Sequence, residues 1–167
     1  MSLLSYKNIV RRGKKRLELH TCLSIIIQSD KLLMIKKKRG LGEGLITFPG
    51  GKVEENETPL ECAIRETEEE VGVKIINPRK VGVITFKQIN GNVQVMHVYL
   101  ATEFIGILKE SDEAIPIWVQ RNDLPFKNMW VDDRIWLPLV LEGKYVNCVF
   151  EFTNDWKFMV SSLCEFA

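Results

Sequence analysis

Glu66, Glu68, Glu69 and Glu70 crowd into a short stretch of chain, with Arg65 directly before them and Gly50-Gly51 a little upstream. If this stretch is helical, residues three and four apart emerge on one side, so Glu66, Glu69 and Glu70 bring their carboxylates within a few ångströms of one another. Like charges at that spacing repel, by about a few tenths of a kcal/mol per pair. A divalent cation would remove the repulsion. Ligands that are all oxygen favour a hard ion, Mg2+ or Mn2+, which keeps several waters and also binds phosphate groups. Such an ion activates water, bridges phosphate oxygens and neutralises charge building on a leaving group. An acidic run in isolation is more simply a solvated helix face. The flanks favour chemistry: glycine lets a backbone carbonyl approach a metal, and arginine can fix the orientation of a neighbouring carboxylate.

The element that must carry these acids is well marked. Thr58-Pro59-Leu60-Glu61 combines an N-cap threonine, proline at the first helical position and glutamate at the third. The helix should run to about Val71, with Gly72 as its C-cap. Leu60, Ile64, Thr67 and Val71 recur at helical spacing and form its expected core-facing stripe. Upstream, Cys22–Ile27 and Leu32–Ile35 read as a strand pair turning at Ser29-Asp30. Residues 39–51 hold five glycines and Pro49, a long loop suited to close approach of backbone to a ligand. Val81–Phe86 and Val93–Leu100 should pair antiparallel, with Asn90-Gly91 as a type I′ turn. Ile115–Val119 and Tyr145–Phe152 read as strands, Trp130–Leu141 as a helix bent near Pro138, and Asn154-Asp155 as a last turn. The architecture predicted is a mixed sheet with a few helices packed on it.

The 167 residues, 46% of them hydrophobic, suffice for one sizeable core and predict one domain over residues 21–167, after a basic arm at 1–20 bearing Lys7, Arg11, Arg12, Lys14, Lys15 and Arg16. Lysine and arginine number 23 against 22 acids, so no long nucleic-acid track is implied and any phosphate must be bound locally. No apolar run has membrane-spanning length and no signal-peptide core is seen, which predicts a cytoplasmic protein. Cys22, Cys62, Cys148 and Cys164 show no C-x-x-C spacing and read as buried thiols.

Gly51, Glu57, Arg65, Glu66, Glu69, Glu70 and Gly72, with Val73 behind them, stand at the spacing of the Nudix box, and the sequence resembles the Nudix hydrolase family on that ground. One position departs: Thr67 stands where the family prefers a bulky aliphatic residue. The resemblance implies an α/β/α sandwich with a loop–helix–loop catalytic motif and a Mg2+ or Mn2+ cofactor. It implies metal ligands at Gly50, through its carbonyl, and at Glu66, Glu69 and Glu70. Glu66 or an acid outside the box would orient the attacking water, with Arg65 and Glu57 as supports.

Lys36–Gly42, Glu110–Glu113 and Leu124–Asp133 extend the resemblance to the branch of the family that hydrolyses oxidised purine nucleoside triphosphates, the 8-oxo-dGTP diphosphatases. That implies a stacking role for Trp130, base-edge reading by Asp132 and Asp133, a metal-proximal Glu113 and a pocket lined by Lys37. Thr47 stands where the branch carries an asparagine that contacts the base. The implied reaction is cleavage of a modified purine nucleoside triphosphate to monophosphate and pyrophosphate, which cleans the nucleotide pool. The implied partner is a nucleotide, with no membrane and no duplex nucleic acid, in a monomer or homodimer. Alternatives are a Nudix hydrolase of ADP-ribose or an RNA 5′ end, and a non-catalytic nucleotide sensor.

Overall fold

The computed structural model describes residues 7–11 and 14–167, with side chains from residue 18 onward. Of the arm expected at 1–20, residues 1–6, 12 and 13 lie outside the described residues. In chain order the elements are β1 (Lys7–Arg11), β2 (Lys14–Gln28), β3 (Lys31–Lys37), β4 (Ile46–Thr47), β5 (Gly50–Lys52), α1 (Pro59–Val71), β6 (Val73–Ile76), β7 (Arg79–Gln88), β8 (Val93–Ala101), β9 (Glu103–Gly106), β10 (Ala114–Gln120), α2 (Asp133–Leu141), β11 (Val146–Phe152) and β12 (Met159–Phe166).

Most strands join one mixed sheet in the order β10-β3-β2-β8-β7-β11-β12, with β1 and β5 on β2 and β4 on β3. The β2–β8 and β7–β11 pairs are parallel, the rest antiparallel. The apolar run of β2 explains its central place. Leu23 and Ile25 enter one core while Cys22 and Ile26 enter the other, as a strand covered on both faces requires. Leu32 and Met34 alternate with Leu33 and Ile35 in the same way on β3. Helix α2 covers the first face through Trp136, Leu137 and Val140, and α1 covers the second through Cys62, Ala63 and Val71. The predicted α/β/α sandwich is the observed one. No helix among the described residues is long and apolar enough to cross a membrane.

Several local expectations change. The buried face of α1 is rotated from the expected stripe: Thr67 and Val71 are buried and Ile64 packs against the core as expected, but Cys62, Ala63 and Glu70 join them and Leu60 is exposed. The rotation turns Glu70 toward β5, where it meets the backbone of Gly50. The β7–β8 turn is not type I′, which needs positive φ at both central residues; only Gly91 has it. Gly91 N–H donates to the Gln88 carbonyl and Gln88 N–H to the Asn92 carbonyl, a type I turn followed by a left-handed glycine. Trp130 precedes α2 rather than opening it, because Asp132 is the N-cap. The small β6–β9 sheet and the edge strand β12 were not foreseen; β12 has no clear alternation, with Val160, Leu163 and Phe166 all exposed.

The cysteines are paired, which corrects the expectation of free thiols. Cys22 bonds Cys62, and Cys148 bonds Cys164. Burial was anticipated correctly for three of them, but β2 meets α1 and β11 meets β12 only in the folded sheet, so spacing along the chain carried no trace of either pair.

Candidate active site

Helix α1 is set in place at both ends. The Thr58 Oγ1 accepts the Glu61 N–H at 3.1 Å and the Thr58 N–H reaches Glu61 Oε1 at 3.3 Å, closing a capping box. Gly72, at φ 81, ends the helix in the left-handed conformation and its N–H bonds the Glu68 carbonyl.

Between those ends, Arg65 gathers the acids. Its Nε and Nη2 hold Glu57 at 2.6 and 2.9 Å, its Nη1 holds Glu66 at 2.9 Å and Glu69 at 3.2 Å, and Nη2 also donates to the Lys52 carbonyl at 3.1 Å. These bonds keep Glu57 below the usual carboxylate range and raise Arg65 further above its own. One guanidinium therefore fixes the loop before the helix and two carboxylates on it.

The structure brings Glu66 and Glu70 together and leaves Glu69 on the surface, its side chain 59% exposed. Glu70 is buried, takes the Gly50 N–H at 3.3 Å and lies within hydrogen-bond reach of Glu66. Burial, then the charge of Glu66, pushes Glu70 up to about 9. Burial also raises Glu66, against the pull of Arg65. With Glu70 buried and Glu66 half-buried beside it, the pair holds a shared proton at neutral pH unless a cation takes its place. Gly51 leaves room for the Glu66 carboxylate: a side-chain carbon there would lie 2.4 Å from the Glu66 carboxyl carbon and push it aside. An all-oxygen donor set short of positive charge fits a hard divalent ion. Among the described residues no three His, Cys, Asp or Glu side chains already converge on one point, consistent with Glu69 facing outward.

Lys37, lowered by burial, feels the charges of both Glu70 and Glu113, and its Nζ donates to the Leu41 carbonyl at 2.5 Å. Arg39 holds Glu113 at 2.7 Å and keeps it ionised. From here the glycine-rich loop crosses to a second cluster. Gly42, at φ 82, lies against Trp130, and an added side-chain carbon would sit 2.9 Å from the indole. Asp132 and Asp133 follow, both buried. Asp132 accepts the Trp136 Nε1–H at 2.9 Å, which explains why it makes no capping bond to its own helix. Burial pushes Asp132 up to about 6 and Asp133 higher still, with the charge of Asp132 adding to the latter. Asp133 Oδ2 has no hydrogen-bond partner. A buried oxygen without a partner costs about 1–3 kcal/mol, which a ligand could recover.

Residues 18–140 match the NUDIX domain family. The chain belongs to the Nudix family. It is 37% identical over 145 residues to the oxidized purine nucleoside triphosphate hydrolase of Mus musculus, covering 86% of this chain and 92% of that protein. The protein of the same name from Danio rerio is 38% identical over 132 residues, 78% of this chain and 84% of its own length. A MutT protein structure from Bacillus halodurans superimposes with a TM-score of 0.79 at 25% identity, over 88% of this chain and 97% of that one.

Within the Nudix box, Gly50, Gly51, Glu57, Arg65, Glu66 and Glu70 form one connected cluster. Thr47 sits apart from these acids on β4, opposite Ile35 of β3. Sequence reading missed Arg39, the partner of Glu113, and Trp136, the partner of Asp132. The i, i+4 spacing of Asp132 and Trp136 could have disclosed the second. It also missed why the Nudix helix tolerates Thr67. The Thr67 hydroxyl, fully buried, donates to the Ala63 carbonyl at 2.7 Å and lies 2.9 Å from the Ser24 hydroxyl on β2. The departure from an aliphatic residue is thus met by a polar partner across the interface. Thr67→Val alone should cost about 0.5–1.5 kcal/mol, because Ser24 loses one of its two partners and keeps only the Ala63 carbonyl at 3.3 Å, and adding Ser24→Ala should recover part of it. Urea unfolding of the two single variants and the double variant checks this; strict additivity would show that the pair is not coupled.

Proposed function

We propose that this chain hydrolyses a modified or oxidised purine nucleoside triphosphate to the monophosphate and pyrophosphate, with Mg2+ or Mn2+, and so cleans the nucleotide pool. The observation that carries this reading is one arrangement: a buried Glu70 beside the half-buried Glu66, linked by a glycine-rich loop to an indole followed by a buried acid pair. The 21–167 segment is taken as one catalytic domain with the basic segment ahead of it.

Glu66 and Glu70 would hold the ion, with Glu69, Glu113 and the Gly50 carbonyl completing its protein ligands. When bound, the ion supplies water activation and charge neutralisation on the phosphates. Arg65 keeps Glu66 and Glu69 oriented, and Glu66 is the candidate to receive the proton of the attacking water. Lys37 is placed to meet phosphate charge beside Glu70 and Glu113. The purine would stack on Trp130, Asp133 would donate its proton to an acceptor on the base edge, and Asp132, ionised above about pH 6, would accept from a base donor. Thr47, on β4, would contact the base from the position the sequence assigns it.

Incubation with Mg2+ and a purine nucleoside triphosphate should release pyrophosphate and monophosphate in equal amounts. Orthophosphate and diphosphate as products would overturn the reaction assignment. Stacking on an aromatic ring contributes about 1–3 kcal/mol per base, so Trp130→Ala should raise KM by roughly 10- to 100-fold while sparing kcat. Steady-state kinetics with Trp130→Phe, expected to retain much of the affinity, completes that comparison.

A further inference from the structure

The Cys22–Cys62 bond lies directly beneath the catalytic loop. Cys22 stands opposite Gly51 in the β2–β5 register, and a side-chain carbon at Gly50 would come 2.2 Å from the Cys22 carbonyl oxygen. Cys62 Sγ lies 3.7 Å from the Gly51 carbonyl oxygen and 4.0 Å from Arg65 Nη2. Around it, α1 meets β2 through small or polar side chains: Ala63, Thr67 and Ser24. These short side chains bring the helix close to the strand at the level of Gly50-Gly51, and the acids Glu66 and Glu70 lie on the same helix one and two turns further along.

We propose that the Cys22–Cys62 disulfide is a positioning cross-link for the catalytic centre, fixing the separation between the strand layer that carries Gly50-Gly51 and the helix that carries Glu66 and Glu70. The inference rests on the reading of those acids as a cation site. The second disulfide supplies an internal control: Cys148–Cys164 joins β11 and β12, already held in register by their own ladder, and packs in the core on the α2 face rather than under α1.

A dithiol reductant would convert each bond to two thiols, both sulfurs gaining a proton while the reductant becomes a disulfide. The order of reduction follows burial. Cys164 is only partly buried, whereas Cys22 and Cys62 are 2% and 0% exposed, so Cys148–Cys164 should open first.

The test follows the native full chain through a dithiothreitol time course, quenched by alkylation and read by mass spectrometry, with Mn2+ binding by calorimetry and hydrogen exchange of residues 59–71 at each stage. Opening Cys148–Cys164 should leave Mn2+ affinity unchanged. Opening Cys22–Cys62 should weaken it by about 10- to 100-fold, the range for losing a support behind a metal ligand, and speed exchange in α1. The Cys22→Ala/Cys62→Ala variant should reproduce the second stage and Cys148→Ala/Cys164→Ala the first. The proposal is overturned if unreduced, denatured protein alkylates at all four cysteines, or if both double variants match wild type in Mn2+ affinity and α1 exchange. A wild-type chain that binds Mn2+ yet turns over no nucleotide would instead fail the reaction assignment, with the calorimetry and exchange still deciding the cross-link.

Discussion

Glu70→Gln should lower kcat/KM by about a thousandfold or more, the loss expected when a cation that supplies several kcal/mol of transition-state stabilisation is no longer held. The same change should leave the cation-free protein at least as stable as wild type. Glu70 is pushed up to about 9 by burial and by Glu66, from an ordinary value of 4.5. Between those values the folded state keeps a proton that the unfolded state releases, so wild-type stability without a cation falls as pH rises through that window. Glutamine copies the neutral carboxyl and removes that slope. Thermal melts in chelator at pH 5.5, 7 and 8.5 test the sign: wild type should lose stability with rising pH and the variant should lose less. A variant with full activity would remove Glu70 from the site, and one that melts well below wild type at pH 7 would show that the carboxylate is needed for folding rather than for a cation.

Asp133→Ala should reduce kcat/KM for the preferred purine by about a hundredfold, since it deletes a buried donor whose loss leaves the base edge unmatched at about 1–3 kcal/mol per group. The pair also predicts a pH profile. Asp132, near 6, must be ionised to accept, so activity falls on acidification through that value. Asp133, raised well above its ordinary range by burial and by Asp132, must stay protonated to donate, so activity falls again at alkaline pH. Because Asp132 and Asp133 are close enough to share the proton, the limbs belong to the pair. Asp132→Asn should abolish the acid limb. Measuring kcat/KM from pH 5 to 10 for wild type and both variants decides it, and a flat wild-type profile would show that neither carboxyl reads the base.

The chemistry of α1 was legible in the sequence because its positions are set by local rules. Thr58, Pro59, Glu61 and Gly72 fix both ends of the helix, and the spacing of the Nudix box then dictates which acids sit near Gly50-Gly51. What local rules do not set was read less well. The helix face depends on the layer it packs against, which buries Glu70 against the Gly50 N–H and leaves Leu60 exposed. The Cys22–Cys62 bond and the Thr67–Ser24 contact join residues 40 and 43 positions apart, a relation that only the folded sheet and helix create. Asp132 was readable as a helix N-terminal acid, but its commitment to Trp136 required the packed core in which that indole is fully buried.

The most direct test of the account is kcat/KM for 8-oxo-dGTP, 2-hydroxy-dATP, O6-methyl-dGTP, dGTP, ADP-ribose and a triphosphorylated RNA, each with Mg2+ and with chelator, the products identified for every substrate. The account predicts Mg2+-dependent release of pyrophosphate with a marked preference for a modified purine triphosphate over dGTP. Turnover confined to ADP-ribose or RNA would contradict the substrate assignment while keeping Nudix chemistry, and nucleotide binding without any hydrolysis would contradict the enzyme itself.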